Sequence, residues 1–191
     1  MTKGRLEAFS DGVIAILITI MVLELKVPHG AAWADLRPLL PLFLTYALSF
    51  VFIGIYWNNH HHMLQATERI NGKILWANHH LLFWLSLVPF GTWWMGENHL
   101  APVPTALYGA VLLAAAIAYT ILLRAIIAHQ GPGSALAKAV GSDRKGKLSA
   151  LLYVAAIPLA FVATWLSAAI YVLVALIWLV PDPRIESRLQ S

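Results

Sequence analysis

An all-α membrane protein with six transmembrane helices is the fold class this sequence predicts, and three observations predict it. Hydrophobic residues make up 60% of the 191-residue chain, where a soluble domain carries about 45–50%. Charged residues are only 12%, and the mean hydropathy is +0.72. The apolar residues also fall into runs of membrane-spanning length, roughly 20 residues each. Residues 1–191 therefore read as a single helical transmembrane domain, with no evident internal repeat and no low-complexity stretch.

The first span is expected at about 6–26, closed by Val27-Pro28. It is too long for the apolar core of a secretory leader and lacks a small-residue cleavage pattern, so it reads as a retained helix. The second, about 39–62, follows Pro38 and Pro41, residues suited to a helix's first turn. The third and fourth are expected at about 74–95 and 105–127. A fifth (about 148–164) and a sixth (about 166–180) are short and leave room only for a tight turn at 163–167. Pro181 and Pro183 end the sixth. The polar stretch at 129–147, "HQGPGSALAKAVGSDRKGK", has the Gly, Ser and Lys content of a flexible connector.

Charge placement orients the six spans. Of thirteen basic residues, Lys3, Arg5, Arg69, Lys73, Arg124, Lys138, Arg144, Lys145, Lys147, Arg184 and Arg188 fall on one side, and Lys26 and Arg37 on the other. This is a strong positive-inside bias and places both termini in the cytoplasm. The net charge of +4 thus records topology; so dispersed a set does not describe a nucleic-acid surface. With no cysteine in the chain, disulfides, thiolate metal sites and Cys nucleophiles are excluded.

Ionisable groups inside a membrane helix are rare and point to function. Asp11 lies about five residues into the first span, roughly 7 Å deep at 1.5 Å per residue. Glu24, near the far end, can reach the interface. At about 100° per residue, Phe9, Ile16, Thr19, Ile20 and Leu23 share one stripe, and Asp11 lies about 220° from Ile16, on another flank with Ser10. Arg5 is about 240° from Asp11, so the two do not meet on an ideal helix and Asp11 is expected to find a partner elsewhere. The second span ends in "YWNNHHH", with Trp57, Asn58, Asn59, His60, His61 and His62, and the third begins with "WANHHLL", with Trp76, Asn78, His79 and His80. His and Asn from these helices are the expected donors to Asp11.

Neighbouring histidines on a helix diverge by about 100°, so the His triplet cannot chelate a metal from one face. No metal site is expected. A proton-coupled transporter or a proton-conducting channel built on the Asp11/His cluster is the alternative reading, because His titrates near neutral pH. Ser10-Asp11 has no suitably spaced base and no G-x-S-x-G elbow, so no enzymatic activity and no cofactor are expected.

The stretch "RLEAFSDG" resembles the R-x-x-x-F-S-D signature of the transmembrane protein 175 family of potassium channels. "YWNNHH" and "NHHLLFWLSLVPF" resemble its second and third helices, and the resemblance extends over essentially the whole chain. It implies a homotetramer in a bacterial inner membrane, with four copies of the first helix lining a pore for potassium and other monovalent cations. The constriction would be Ile16, Ile20 and Leu23, and the selectivity layer Thr19. The implied packing network comprises Arg5, Phe9, Ser10, Asp11, Trp57, His60, His61, Asn78 and His79. The T-V-G-Y-G filter of ordinary potassium channels is absent from this sequence. A single hydroxyl in an apolar stripe suggests a weak to moderate preference for potassium over sodium.

Overall fold

A computed structural model describes residues 2–141 and 143–179. These form α1 (Lys3–Leu23), a 3-10 segment (Trp33–Leu39), α2 (Leu40–Gln65), α3 (Gly72–Ser86), α4 (Val88–Glu97), α5 (Pro102–Gln130), α6 (Ala135–Val140), α7 (Arg144–Leu159) and α8 (Thr164–Leu179). The described residues contain no strand. Local chemistry sets most of the boundaries. The Asn71 side chain accepts the Ile74 N–H at 2.9 Å and starts α3. Pro41 occupies the first turn of α2, and Pro102 opens α5, where a missing N–H costs nothing. Gly131 ends α5 with φ +91°, a conformation that favours glycine. The Asp143 carboxylate accepts the Gly146 N–H at 3.1 Å and caps α7.

α5 sits at the centre. It packs against α3, α4, α7 and α8, while α1 lies at the edge against α2, α3 and α4. In a hydrocarbon environment the polar groups must be satisfied within the protein, and most of the interior does this, with the Thr105 hydroxyl, His62 Nδ1 and Gln130 Oε1 the buried atoms left without a partner among the described residues. The hydroxyls of Tyr108, Ser49 and Thr92, from α5, α2 and α4, are linked at 2.8 and 2.6 Å. The Tyr171 hydroxyl of α8 donates to the Thr105 carbonyl of α5 at 3.0 Å. Contacts also define the two ends of the bundle. Lys3 Nζ donates to the Gln65 carbonyl at 3.0 Å, and Asn71 meets His129 at 3.1 Å. The start of α1, the α2–α3 turn and the end of α5 therefore share one end. Lys26 and Glu97 pair at 3.5 Å at the opposite one.

Three stretches, Lys3–Leu23, Trp33–Gln65 and Pro102–Gln130, are long and apolar enough to cross a bilayer by length and composition. The expected third span is not one helix but two, α3 and α4, divided at Leu87. Pro89 has no N–H to return to Leu85, and the chain tightens there, with Leu87 bonding to the Trp84 carbonyl at 3.2 Å. α1 runs about three residues earlier than expected at both ends. The turn before α8 falls at 160–163, so Ser167 already belongs to that helix. The expected flexible connector at 129–147 contains α6. Ser134 caps α6, and its Leu136 and Ala139 are buried. Pro181, Pro183, Arg184, Arg188 and the end of the expected sixth span lie outside the described residues.

Gly109 marks the closest approach of α5 and α8, where an added Cβ would run into the Tyr171 hydroxyl. Gly109→Ala should displace that ring and break its bond to Thr105. We expect a loss of about 1–3 kcal/mol, the usual cost of overpacking, measured as a lowered melting temperature in detergent. Gly133→Ala is the control, because a Cβ there meets nothing within 4 Å.

Candidate functional site

The two faces of α1 differ sharply. Leu6, Ser10, Ile14, Leu17 and Met21 are buried, a spacing of three to four residues that marks one helical stripe against the bundle. Phe9, Ile16, Thr19, Ile20 and Leu23 are exposed in the single chain, with Ile16 at 56% and Leu23 at 80% of full exposure. Apart from the stacked Phe9, this stripe is apolar surface without a partner in its own subunit. Thr19 is its polar member. Its hydroxyl donates to the Ile16 carbonyl at 2.9 Å, so the proton is spent on the helix. The oxygen keeps lone-pair capacity to accept from water or contact a cation.

On the packed side, Ser10 meets a polar chain that ties three helices. Ser10 Oγ donates to the Leu6 carbonyl at 2.8 Å and accepts from Asn78 Nδ2 at 2.9 Å. Asn78 Oδ1 lies 2.7 Å from His60 Nε2. Because the amide oxygen can only accept, His60 carries its proton on Nε2. Ser10, Asn78 and His60 are all buried. The contact is self-contained: each member is satisfied by another, or by the backbone of α1.

Asp11 is held from a different direction. Its Oδ1 accepts the indole N–H of Trp57 at 2.9 Å. The expected His or Asn donor is thus replaced by Trp57, whose ring stacks on His61 with centroids 5.7 Å apart. Helical spacing of Trp57, His60 and His61 at i, i+3 and i+4 puts them on one face, the signal that could have singled out the indole. Phe9 stacks on His79 at 5.4 Å, and His79 in turn lies 6.0 Å from Trp76. The structure therefore brings Phe9, Ser10, Asp11, Trp57, His60, His61, Asn78 and His79 into one layer across α1, α2 and α3. Arg5 is not joined to it: the side chain is exposed and makes no hydrogen bond or ion pair among the described residues. Within those residues, no three His, Asp or Glu side chains converge as a metal site would require.

Long apolar helices, buried polar side chains hydrogen-bonded from helix to helix and basic residues gathered toward one end define a polytopic helical membrane protein. The family model described as "Endosomal/lysosomal potassium channel TMEM175" matches residues 5–89, the stretch that holds all of this layer. A protein from Chryseobacterium sp. (strain P1-3) named a potassium channel is 57% identical over 191 residues, the full length of both chains. The crystal structure of a lysosomal potassium-selective channel TMEM175 homolog from Chamaesiphon minutus superposes with a TM-score of 0.82. It is 31% identical and covers 94% of this chain and 97% of that one. A Gallus gallus protein named endosomal/lysosomal proton channel TMEM175 is 40% identical over 73 residues, 32% of this chain and 15% of the relative. The chain belongs to the TMEM175 family. Its members named here are channels, not enzymes.

The two anchors should separate under mutation. Asn78→Ala leaves Ser10 and His60 buried without their shared partner, and should cost about 1–3 kcal/mol. Trp57→Phe keeps the ring on His61 and removes only the donor to a half-buried carboxylate, so about 1 kcal/mol is expected. Unfolding in a denaturing detergent titration measures both; a larger effect for Trp57→Phe would reverse the assigned ranking.

Proposed function

We propose that this chain forms a homotetrameric, potassium-permeable cation channel in a bacterial inner membrane, with four copies of α1 around the pore. The observation that carries the reading is the exposed apolar stripe of α1, set on a different face from Ser10 and Asp11. A stripe of Ile16, Ile20 and Leu23 turned to a fourfold axis makes narrow apolar rings, which gate by excluding water. The Chryseobacterium relative, named a potassium channel, supports potassium as the permeant ion. In this reading the six spans are α1, α2, the α3–α4 pair, α5, α7 and α8. The basic end of the bundle then faces the cytoplasm, together with both termini.

Thr19 lies among these rings, with its hydroxyl oxygen available to a partly dehydrated ion. One hydroxyl per subunit is a modest device and supports a weak to moderate preference for potassium over sodium. Ile16→Ala and Leu23→Ala widen the rings and should raise potassium flux several-fold in proteoliposomes carrying a potassium gradient. Wild type and both variants silent would overturn the channel reading. Thr19→Val should bring the potassium-to-sodium flux ratio toward unity while flux persists.

The name of the Gallus gallus relative favours protons as a second reading. The anchoring layer offers poor support for it. Trp57 holds Asp11 through an indole N–H, which cannot hand a proton onward, and His60 is closed off by Asn78. Asp11→Ala should therefore weaken tetramer assembly more than it changes selectivity, as read by size-exclusion light scattering beside flux. Proton uptake abolished by His60→Gln in an intact tetramer would favour the second reading.

A further inference from the structure

A groove of about 450 Å³ opens between α5 and α7, beneath the end of α6. That size suits a ligand pocket, which runs about 300–1,000 Å³. Its walls change character along the helices. On α5, Ile117, Ile121 and Arg124 follow at i, i+4 and i+7, one continuous stripe. On α7, Lys147 and Ala150 follow at i and i+3. Both apolar ends therefore point away from the α5–α7 connection, and both cations lie toward it. Ile117 and Ile121 are exposed. Arg124 and Lys147 are exposed too, and neither side chain has a hydrogen bond or ion pair among the described residues. Asp143 also lines the groove, its Oδ1 accepting the Gly146 N–H, so Arg124 and Lys147 outnumber the acidic groups of the lining by one charge.

We infer that this groove holds an anionic phospholipid of the cytoplasmic leaflet, its phosphate between Arg124 and Lys147 and an acyl chain along Ile117 and Ile121. A basic pocket between helices at the cytoplasmic side is the arrangement that selects acidic headgroups. The apolar track continuing from the cations is what distinguishes a lipid from a free anion. The inference rests on the membrane orientation proposed above and not on ion permeation, so its test uses binding and not flux.

The full-length protein in detergent is titrated with phosphatidylglycerol, phosphatidylcholine or inorganic phosphate. Thermal unfolding and retained mass in native mass spectrometry are followed. Phosphatidylglycerol should raise the melting temperature and stay bound, while phosphatidylcholine and phosphate at equal concentration do neither. Arg124→Gln with Lys147→Gln should weaken phosphatidylglycerol about tenfold or more, from the loss of two cations near an acidic headgroup. Arg69→Gln, a basic change outside the groove, should leave it unaltered. Ile121→Trp fills the track with both cations in place and should also weaken the lipid. This second variant decides the matter if the double variant fails to fold. Equal response to the two lipids, a phosphate effect equal to that of phosphatidylglycerol, or unchanged lipid affinity in the folded groove variants would overturn the proposal.

Discussion

The Asn78 side chain is the point on which the α1 geometry depends. One amide donates to Ser10 and faces His60, so α1, α2 and α3 are fixed to one another by a single residue. In water such a contact competes with solvent and contributes little. In a bundle whose surroundings offer few alternative partners, leaving either neighbour unmade carries a desolvation cost. Dispersion alone would let α1 rotate about its axis, because Ile14, Leu17 and Met21 resemble Ile16, Ile20 and Leu23 chemically. Ser10 removes that freedom. It can satisfy Asn78 only with its own face inward, and that sends the Ile16 stripe outward.

Asp11 and Phe9 reinforce the same orientation from either side. Trp57 reaches Asp11 along one edge of α1, and His79 stacks on Phe9 along the other. Together with Ser10 they hold the helix at three angular positions, all within two turns of its N-terminal half. The other half carries the proposed constriction and has only apolar packing on its buried side. A rigid base with a less constrained upper half is a physical basis for changes in ring diameter that do not require the subunit to unfold.

Much of this was legible in the sequence, for definite reasons. The angular division of α1 follows from the 3.6-residue repeat alone, so the separation of Ser10 and Asp11 from the Ile16 stripe could be counted. The outward turn of that stripe needed the structure, because periodicity does not say which of two apolar faces meets the bundle. The partner of Asp11 was not legible. Trp57, Asn58, His60 and Asn78 are all donors at similar depth, and the choice depends on helix rotation and rotamer. The break at Leu87 had its signal in Pro89, hidden by a hydropathy that stays high across both α3 and α4. Helix α6 was obscured by its brevity and by flanking glycines. Only its burial of Leu136 against the bundle, a tertiary effect, gives so short a segment a fixed helical form.

The acidic residue inside the first helix invites a role in ion conduction, and its surroundings argue for another. A carboxylate that guides cations is best left facing an aqueous path with its charge uncompensated. Asp11 instead lies half-buried, bound to an indole whose own polar atom has no further partner to pass charge to. The stripe proposed for the pore contains no ionisable group at all. A cation crossing it would exchange hydration water only at Thr19, where the helix carbonyl already takes the hydroxyl proton and so leaves the oxygen free to face the ion. In the proposed channel, anchoring through Ser10 and Asp11 and permeation fall on different faces of one helix. The anchor can be strong without placing a deep charge, and hence a trap, on the path of the ion.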